Sequence, residues 1–348
     1  MDTTKSPKTI LVTGGLGYIG SHTVVELFEN GYDVEIIDNL HNSNIKCLDR
    51  LEKITSKKIK FHQIDLLDYD KVEAVFKSRN NNPFYAIIHF AGLKSVNEST
   101  KIPLTYYKNN LISSINVVEL ANKYNCVNFI FSSSACVYGS NSEPCKETDV
   151  LNPINTYGRT KLMIENILID TSEASNGMFK SIILRYFNPV GSHKSGLIGD
   201  SPNGIPANLF AVIENHMKGK IEMMQVFGHD YNTNDKTAIR DYIHVVDLAQ
   251  AHVKVLEKFN DEKLTTYDIY NLGTNNGLSV LQIINEYMKA SNKQIKYELT
   301  DRREGDAEIC VANADKANRE LGWKSKLGVE EMCQDSYRWI SLNPNGYD

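Results

Sequence analysis

The chain lacks paired-cysteine motifs, long apolar runs and any surplus of positive charge. Its six cysteines, Cys47, Cys126, Cys136, Cys145, Cys310 and Cys333, never fall in Cys-x-x-Cys spacing. A chain of 348 residues buries enough core to do without disulfide staples, so six reduced thiols in a reducing compartment are expected. No stretch approaches the ~18 consecutive apolar residues of a membrane span. Met1 to Lys8 is short and polar, with no apolar core of a signal peptide. The net charge of −5 argues against a nucleic-acid partner, which calls for a basic surface. No internal repeat or low-complexity tract is present, and nothing calls for a metal. The expectation is a cytoplasmic protein with neither a membrane nor a nucleic acid as partner.

What is there is an alternation of strands and helices in an ordinary globular composition, 41% hydrophobic and 23% charged. Strands are predicted at Thr9 to Thr13, Val34 to Asp38, Ile59 to Ile64, Ala86 to Phe90, Val127 to Phe131 and Ile182 to Tyr186. Helices are predicted at Tyr18 to Asn30, Pro103 to Tyr124 and Asn155 to Asp170. Alternating elements of this kind predict an α/β fold, a Rossmann-type doubly wound parallel sheet. Near-continuous apolar strands fit burial on both faces. After Phe187 the rhythm changes: residues 188–206 are rich in Gly, Pro, Ser and Asn and read as loop. Helices return at Val245 to Phe259 and at Ser279 to Ala290, where Ser279 is a plausible N-cap. The expected division is 1–187 for a dinucleotide-binding domain, with a return segment near 240–260, and 188–348 for a smaller mixed α/β substrate-binding lobe.

Gly14-Gly15-Leu16-Gly17-Tyr18-Ile19-Gly20 follows the first strand and opens the first helix. Glycines there permit a tight turn and a close approach to a pyrophosphate, and the helix N-terminus offers unbonded amides to the phosphates. A lone GxGxxG is weak; the strand–turn–helix context strengthens it. Asp38 ends the second strand, where a carboxylate accepts from a ribose 2′-hydroxyl and repels a 2′-phosphate. No Arg or Lys follows until Lys46, which favours NAD over NADP. Asp65, followed by Leu66, also ends a strand and is placed beside the adenine, with a loop-start cap as the ordinary alternative.

Ligands of such sheets sit beyond the carboxyl ends of the strands. Three segments fall there: Phe90-Ala91-Gly92-Leu93-Lys94, Ser132 to Cys136, and Tyr186-Phe187-Asn188-Pro189-Val190-Gly191. Ser134 is the serine chosen to bond a reacting hydroxyl. Tyr157 and Lys161 lie four residues apart, on one helix face. Making a tyrosine a proton acceptor at neutral pH means lowering its titration by roughly 3 units, about 4 kcal/mol. A neighbouring ammonium and a cationic nicotinamide would share that work. By spacing alone, the pair is more often a solvated helix face. In the second lobe Arg240 and Arg303 suit a diphosphate, since guanidinium binds phosphate bidentately. Their ordinary alternative is ion pairing with Asp241 and Glu304.

Taken together, Thr13 to Gly20, Tyr157-x-x-x-Lys161 and a long second lobe resemble the extended short-chain dehydrogenase/reductases. Narrower motifs resemble the sugar-nucleotide 4-epimerases among them. These are Phe90 to Lys94 with Glu98-Ser99, Ser132 to Gly139, Arg185 to Gly191, Arg240 to Val245, Tyr270 to Gly273 and Arg302 to Asp306, so the resemblance runs nearly the whole chain. It implies Tyr157 as catalytic base, Lys161 as its electrostatic and ribose partner, and Ser134 as second hydrogen-bonding group. It implies NAD contacts at Gly14, Gly17, Tyr18, Ile19, Gly20, Asp38, Asn39, Asp65, Leu66, Phe90, Ala91, Gly92, Lys94, Asn109, Ser134, Tyr157, Lys161 and Tyr186. It implies a UDP-sugar held by Lys94, Ser134, Tyr157, Phe187, Asn188, Asn208, Leu209, Phe227, Arg240, Arg303, Asp306 and Cys310. Cys136 departs from the pattern, which usually has threonine.

The implied reaction is reversible oxidation at the sugar C4, turnover of the 4-keto sugar, and return of the hydride to the other face. Cys310 stands where the family limits the sugar pocket. Its small side chain predicts that N-acetylated UDP-hexoses are also accepted, against the alternative of a buried structural thiol. The resemblance also implies a homodimer through the helices at 103–124 and 155–170. Leu162, Met163, Ile164, Ile167, Leu168 and Ile169 cover more of the second helix than one buried face needs; coverage by the second lobe is the alternative. Competing functions are a 4,6-dehydratase, a dehydrogenase releasing NADH, and a non-catalytic NAD sensor.

Overall fold

In the computed structural model the described residues are 7–79, 82–140, 144–202, 208–303 and 306–348. The first six residues of the expected polar N-terminus, part of the 188–206 loop, and Glu304 therefore lie outside the described residues. The first part of the chain runs β1 (Thr9–Thr13), α1 (Tyr18–Glu29), β2 (Asp33–Asp38), α2 (Lys46–Thr55), β3 (Lys60–Gln63), α3 (Tyr69–Ser78) and β4 (Ala86–His89). It continues with α4 (Val96–Lys101), α5 (Pro103–Lys123), β5 (Asn128–Ser134), α6 (Thr156–Ala174) and β6 (Lys180–Tyr186). The remainder adds β7 (Asn188–Val190), α7 (Leu209–Met217), β8 (Met224–Phe227), β9 (Ile239–His244), α8 (Val245–Lys258) and β10 (Tyr267–Leu272). It ends with β11 (Gly277–Ser279), α9 (Val280–Ser291), β12 (Tyr297–Thr300), β13 (Ile309–Cys310), α10 (Asp315–Glu320) and α11 (Val329–Leu342).

Seven parallel strands form the main sheet in the order β10-β6-β5-β4-β1-β2-β3. Side chains alternate across a strand, and the core divides accordingly. Ile10, Val12, Ile36, Ile88, Ile130 and Ile182 pack on one face; Leu11, Ile37, Ile87, Phe129, Phe131 and Ile183 pack on the other. With both faces buried, these strands read as unbroken apolar runs. β3 is one of the two edge strands and is only partly buried, which is why its sequence, KFHQ, carries polar residues.

The strand order reverses beside β1, with β2 on one side and β4 on the other, so the carboxyl ends of β1 and β4 define the switch point. Two differences from the sequence reading follow from packing. β5 runs three residues past Phe131 because Ser132, Ser133 and Ser134 keep parallel register with Leu184, Arg185 and Tyr186; Ser134 is thus the last strand residue. Also, β10 pairs with β6, while α8, inside the return segment expected near 240–260, packs against α1. The main sheet therefore recruits a strand well beyond residue 187.

The other sheet elements are short. β9 pairs with β7, β11 and β13, and β12 pairs with β8. Helix α9 starts with a capping box, Ser279 accepting from the Gln282 amide, as its sequence position suggests. The strip Phe210, Ile213, Ile283, Ile284, Tyr287 and Met332 makes a separate core under these elements.

Candidate functional site

The glycine turn is built for close backbone approach. Gly14 has φ +70°, and a Cβ there would meet the Ala91 amide at 2.8 Å. A Cβ on Gly20 would lie 2.3 Å from the Gly14 carbonyl. Gly17 is the N-cap of α1 and has no side-chain cap, so the first-turn amides at Tyr18 and Ile19 keep donor capacity for an anion. The Tyr18 hydroxyl turns away and donates to the Gly191 carbonyl at 2.6 Å. These features fit a dinucleotide pyrophosphate.

Asp38 sits at the end of β2 with one oxygen accepting from the Leu16 amide at 3.1 Å. The other accepts from the Leu40 amide and the Ser43 hydroxyl. A carboxylate pair offers about four acceptor sites, so capacity remains for a ribose hydroxyl. Asn39 donates to Asp65 at 3.1 Å. Asn39, Asp65, His41, Gln63 and Ile64 line a cavity of ≈ 390 Å³. His41 and Gln63 were not singled out in the sequence, because edge-strand and loop polar residues carry no motif. Leu66 is buried beneath this end.

At β4 the segment Phe90 to Lys94 is held by Asn110 on α5. Asn110 accepts from the Leu93 amide at 2.8 Å and donates to the Leu93 carbonyl and the Thr160 hydroxyl. Asn109 in turn donates to Asn110. Gly92 has φ +155°, which L side chains rarely adopt, and a Cβ there would press on Asn110 at 3.3 Å. Lys94 reaches toward Asp200 at 3.9 Å, and Asp200 also accepts from Asn208 at 3.3 Å. Asp200 carried no sequence signal.

α6 begins at Asn155, whose side chain accepts from the Gly158 amide at 2.7 Å. This fixes the first turn and brings Tyr157 to the carboxyl end of β5. The Tyr157 amide bonds Ser99 on α4. Ser134 lies close enough to the Tyr157 phenol to influence its titration and accepts from the Cys136 amide at 3.2 Å. Lys161, 4% exposed, donates its ammonium to the Ser132 carbonyl at 2.7 Å. It lies 5.8 Å from the Tyr157 ring centre and 4.8 Å from that of Phe131.

Burial is the largest influence on both groups. It pushes the Tyr157 phenol up, with the thiol of Cys136 adding to that and the Ser134 hydroxyl opposing it. It lowers Lys161 to about 8, with Glu165 opposing the fall. The lysine alone therefore does not activate the phenol; a cationic nicotinamide is the other group that the sequence analysis expected to share that work.

Tyr186 ends β6 and turns its hydroxyl to His252 on α8 at 2.5 Å; the Phe90 ring packs on the same imidazole at 5.0 Å. Phe187 is buried against Tyr138, and Asn188 donates to the Asp241 carbonyl at 3.2 Å. Asn208 caps α7, accepting from the Ala211 amide at 2.8 Å, and Leu209 is its first residue.

Arg240 and Arg303 converge on one carboxylate. Arg240 bonds one oxygen of Asp306 and the Ala307 carbonyl at 2.7 Å, while Arg303 bonds the other oxygen at 2.9 Å. The Arg303 guanidinium stacks 5.0 Å from the Phe227 ring centre. Asp241, the alternative partner considered for Arg240, is instead taken up by Thr274 and the Ala312 amide. Cys310 pairs with Arg240 across β13 and β9. Its thiol hydrogen-bonds that of Cys145 and is held above the ordinary thiol range, by that bond first and by burial second. Cys136 lies within electrostatic reach of both Cys310 and Arg240, which ties the Ser134 turn to the arginine cluster. None of the six cysteines is in a disulfide. Among the described residues no His, Cys, Asp and Glu group could hold a metal, and no helix is long and apolar enough to cross a membrane.

A parallel sheet with this switch point, a glycine turn, and a Ser-Tyr-Lys set at the ends of β5 and α6 define a nucleotide-dependent short-chain enzyme of the extended type. The family model described as GDP-mannose 4,6 dehydratase matches residues 11–336. A UDP-glucose 4-epimerase of Bacillus subtilis is 51% identical over 339 residues, covering 97% of this chain and 98% of the relative. UDP-glucose 4-epimerase 2 of Arabidopsis thaliana is 48% identical over 345 residues, covering 98% and 97%. The crystal structure of the UDP-glucose 4-epimerase of Bifidobacterium longum, in complex with NAD+ and UDP, superposes with a TM-score of 0.91 at 45% identity, covering 97% of this chain and 99% of that one. The chain belongs to the UDP-glucose 4-epimerase family of the extended short-chain dehydrogenase/reductases.

Proposed function

We propose that this protein interconverts UDP-glucose and UDP-galactose at C4 with a resident NAD. The observation that carries the proposal is the placement of Ser134 and Tyr157 beside the buried Lys161, which donates to the Ser132 carbonyl at 2.7 Å, at the sheet end opposite a paired-arginine anion cluster. The glycine turn, Asp38, Asn39, Asp65 and the Phe90 to Lys94 segment, with Asn109 and Tyr186, would hold the cofactor. When bound, NAD supplies a reversible hydride acceptor for the sugar C4. Tyr157 takes the C4 hydroxyl proton and later returns it, and Ser134 keeps the sugar oxygen in line. Arg240, and Arg303 stacked on Phe227, hold the diphosphate while the sugar turns over, so one proton-transfer pair serves both faces. Lys94, Phe187, Asn188, Asn208 and Leu209 complete the substrate cradle. Asp306 holds both arginines at one spacing.

A general base must be poised near working pH. The raised phenol therefore makes catalysis depend on the cationic surroundings present only in the loaded enzyme. The test is incubation of the pure protein, with no added cofactor, with each of four UDP-sugars while C4 configuration is followed. Interconversion of the plain hexoses at constant mass is expected. Loss of one water would instead indicate a dehydratase; that reading lacks a carboxylate at Ala135-Cys136. Accumulation of NADH would indicate a dehydrogenase, and no turnover a sensor.

Cys310 supports acceptance of the N-acetylated sugars, since steric exclusion sets such preferences. Cys310→Tyr is expected to abolish their turnover and to spare the plain hexoses. Ile112, Ile115 and Met163, on α5 and α6, stay exposed and are not covered by the second lobe, which supports a homodimer through these helices. Leu162, Ile167 and Ile169 are half-covered on the same helix. Six cysteines outside disulfides support a cytoplasmic setting.

A further inference from the structure

Behind the Tyr157–Lys161 pair lies a charged group that the reaction as described does not use. Glu165 continues the same four-residue spacing, so Tyr157, Lys161 and Glu165 share one face of α6. Glu165 is 1% exposed and Arg185 is 2% exposed. Arg185 grips the carboxylate with two bonds, Nε to one oxygen at 3.1 Å and Nη2 to the other at 2.7 Å. Ser133 donates to the same carboxylate. Arg185 also donates to the Tyr138 hydroxyl at 2.9 Å, which donates in turn to Asn271 at 2.7 Å on β10.

Ser133 lies between the two residues that matter most. Its predecessor supplies the carbonyl gripped by Lys161, and its successor is Ser134. The Glu165–Arg185 fork therefore pins the strand end that sets both groups. A buried ion pair is poor evidence of stabilisation, because apolar residues of similar volume often do as well. Its place directly behind Lys161 gives it another use. The groups facing Lys161 are Tyr157 and Glu165 on its own helix, His89 from β4, Phe131 and the Ser132 carbonyl from β5, and Cys136 from the turn after β5. Glu165 is the only carboxylate among them. His89 is held neutral by its burial, so it supplies no compensating charge.

We propose that Glu165 is a positioning residue for the epimerase reaction, acting through Ser133 on Ser134 and through its charge on the ammonium of Lys161. The inference rests on the functional reading above. Without the carboxylate, Lys161 loses the one negative group among those that face it and sheds its proton more readily. The phenol of Tyr157 then loses cationic support and needs a higher pH to ionise.

The experiment uses the NAD-loaded protein with Glu165→Gln, which keeps the shape and removes the charge. It records the pH profile of kcat and, independently of turnover, the ultraviolet titration of the phenol, taken as the difference from Tyr157→Phe. Both midpoints are expected to move up together by about one pH unit, the equivalent of a tenfold loss at neutral pH, recovering as pH rises. KM for UDP-galactose should change less than about threefold, since the UDP anchors are untouched. Glu165→Gln with Arg185→Met removes the pair as a unit and covers the case in which the single variant does not fold; its midpoints should also move up, by less. A loss of kcat equal at every pH, or unmoved midpoints in either folded variant, overturns the proposal. A wild type that interconverts no UDP-hexose overturns the functional reading instead, while the phenol titration still reports on Glu165.

Discussion

The two ends of the proposed active site are held by different physics. The catalytic end is fixed by long parallel strands, β5 and β6 pairing over seven residues, and by buried polar groups bonded to one another. The anchoring end is carried by strands of two to six residues, β13, β8 and β9, with Arg303 half exposed. Proton transfer demands heavy atoms within hydrogen-bond reach, so the base and its partners sit where the backbone cannot drift. A diphosphate is large and charged, and bidentate guanidinium contacts tolerate a softer frame. The difference suits a reaction in which the sugar must turn while its nucleotide stays.

The largest test of that contrast is Tyr157→Phe. It removes only an oxygen from the rigid end and should cut kcat about 10²–10⁴-fold, with KM little changed; steady-state rates on UDP-galactose decide it. At the softer end, Arg303→Met should act mainly on KM, raising it about tenfold to a hundredfold, as expected for a charged hydrogen bond of ~1.5–3 kcal/mol. A matching fall in kcat would mean that the anchor also governs chemistry and would blur the contrast.

Gly20→Ala probes the rigid frame itself. The added Cβ meets the Gly14 carbonyl at 2.3 Å, so the turn must shift at a cost of ~1–3 kcal/mol. A lower melting temperature and loss of co-purifying NAD, measured by absorbance after denaturation, should accompany it.

The smallest effect is on stability against pH. Burial lowers His22 and His89 to about 3 and His252 to about 4. The unfolded chain then binds more protons than the folded one below the ordinary imidazole range, and acid costs stability. Burial raises Asp241 to about 6, Glu26 to about 7 and Glu214 to about 8. There the folded state binds more protons, and stability falls as pH rises from the ordinary carboxylate range toward 8. The two sets oppose each other between roughly pH 4.5 and 6.5. Melting temperature should be nearly flat in that window, fall gently toward pH 8, and drop steeply below about pH 4.5; a monotonic rise from pH 5 to 8 would refute the assignment.

The sequence alone fixed what depends on local chemistry. The glycines of the first turn, Asp38 at a strand end, and the four-residue step from Tyr157 to Lys161 are all set by neighbours along the chain. Continuous apolar runs marked every central strand of the main sheet, because such strands are buried on both faces. Tertiary structure decided what depends on residues far apart. β10 joins the main sheet through pairing with β6, which no local pattern announces. Asp306 draws Arg240 and Arg303 together across 66 residues in one case and three in the other. Glu165 had a visible signal in its spacing from Lys161, but only the fold placed Arg185 and Ser133 against it. Side-chain periodicity reports which face is buried; it carries no record of which distant charge will be waiting there.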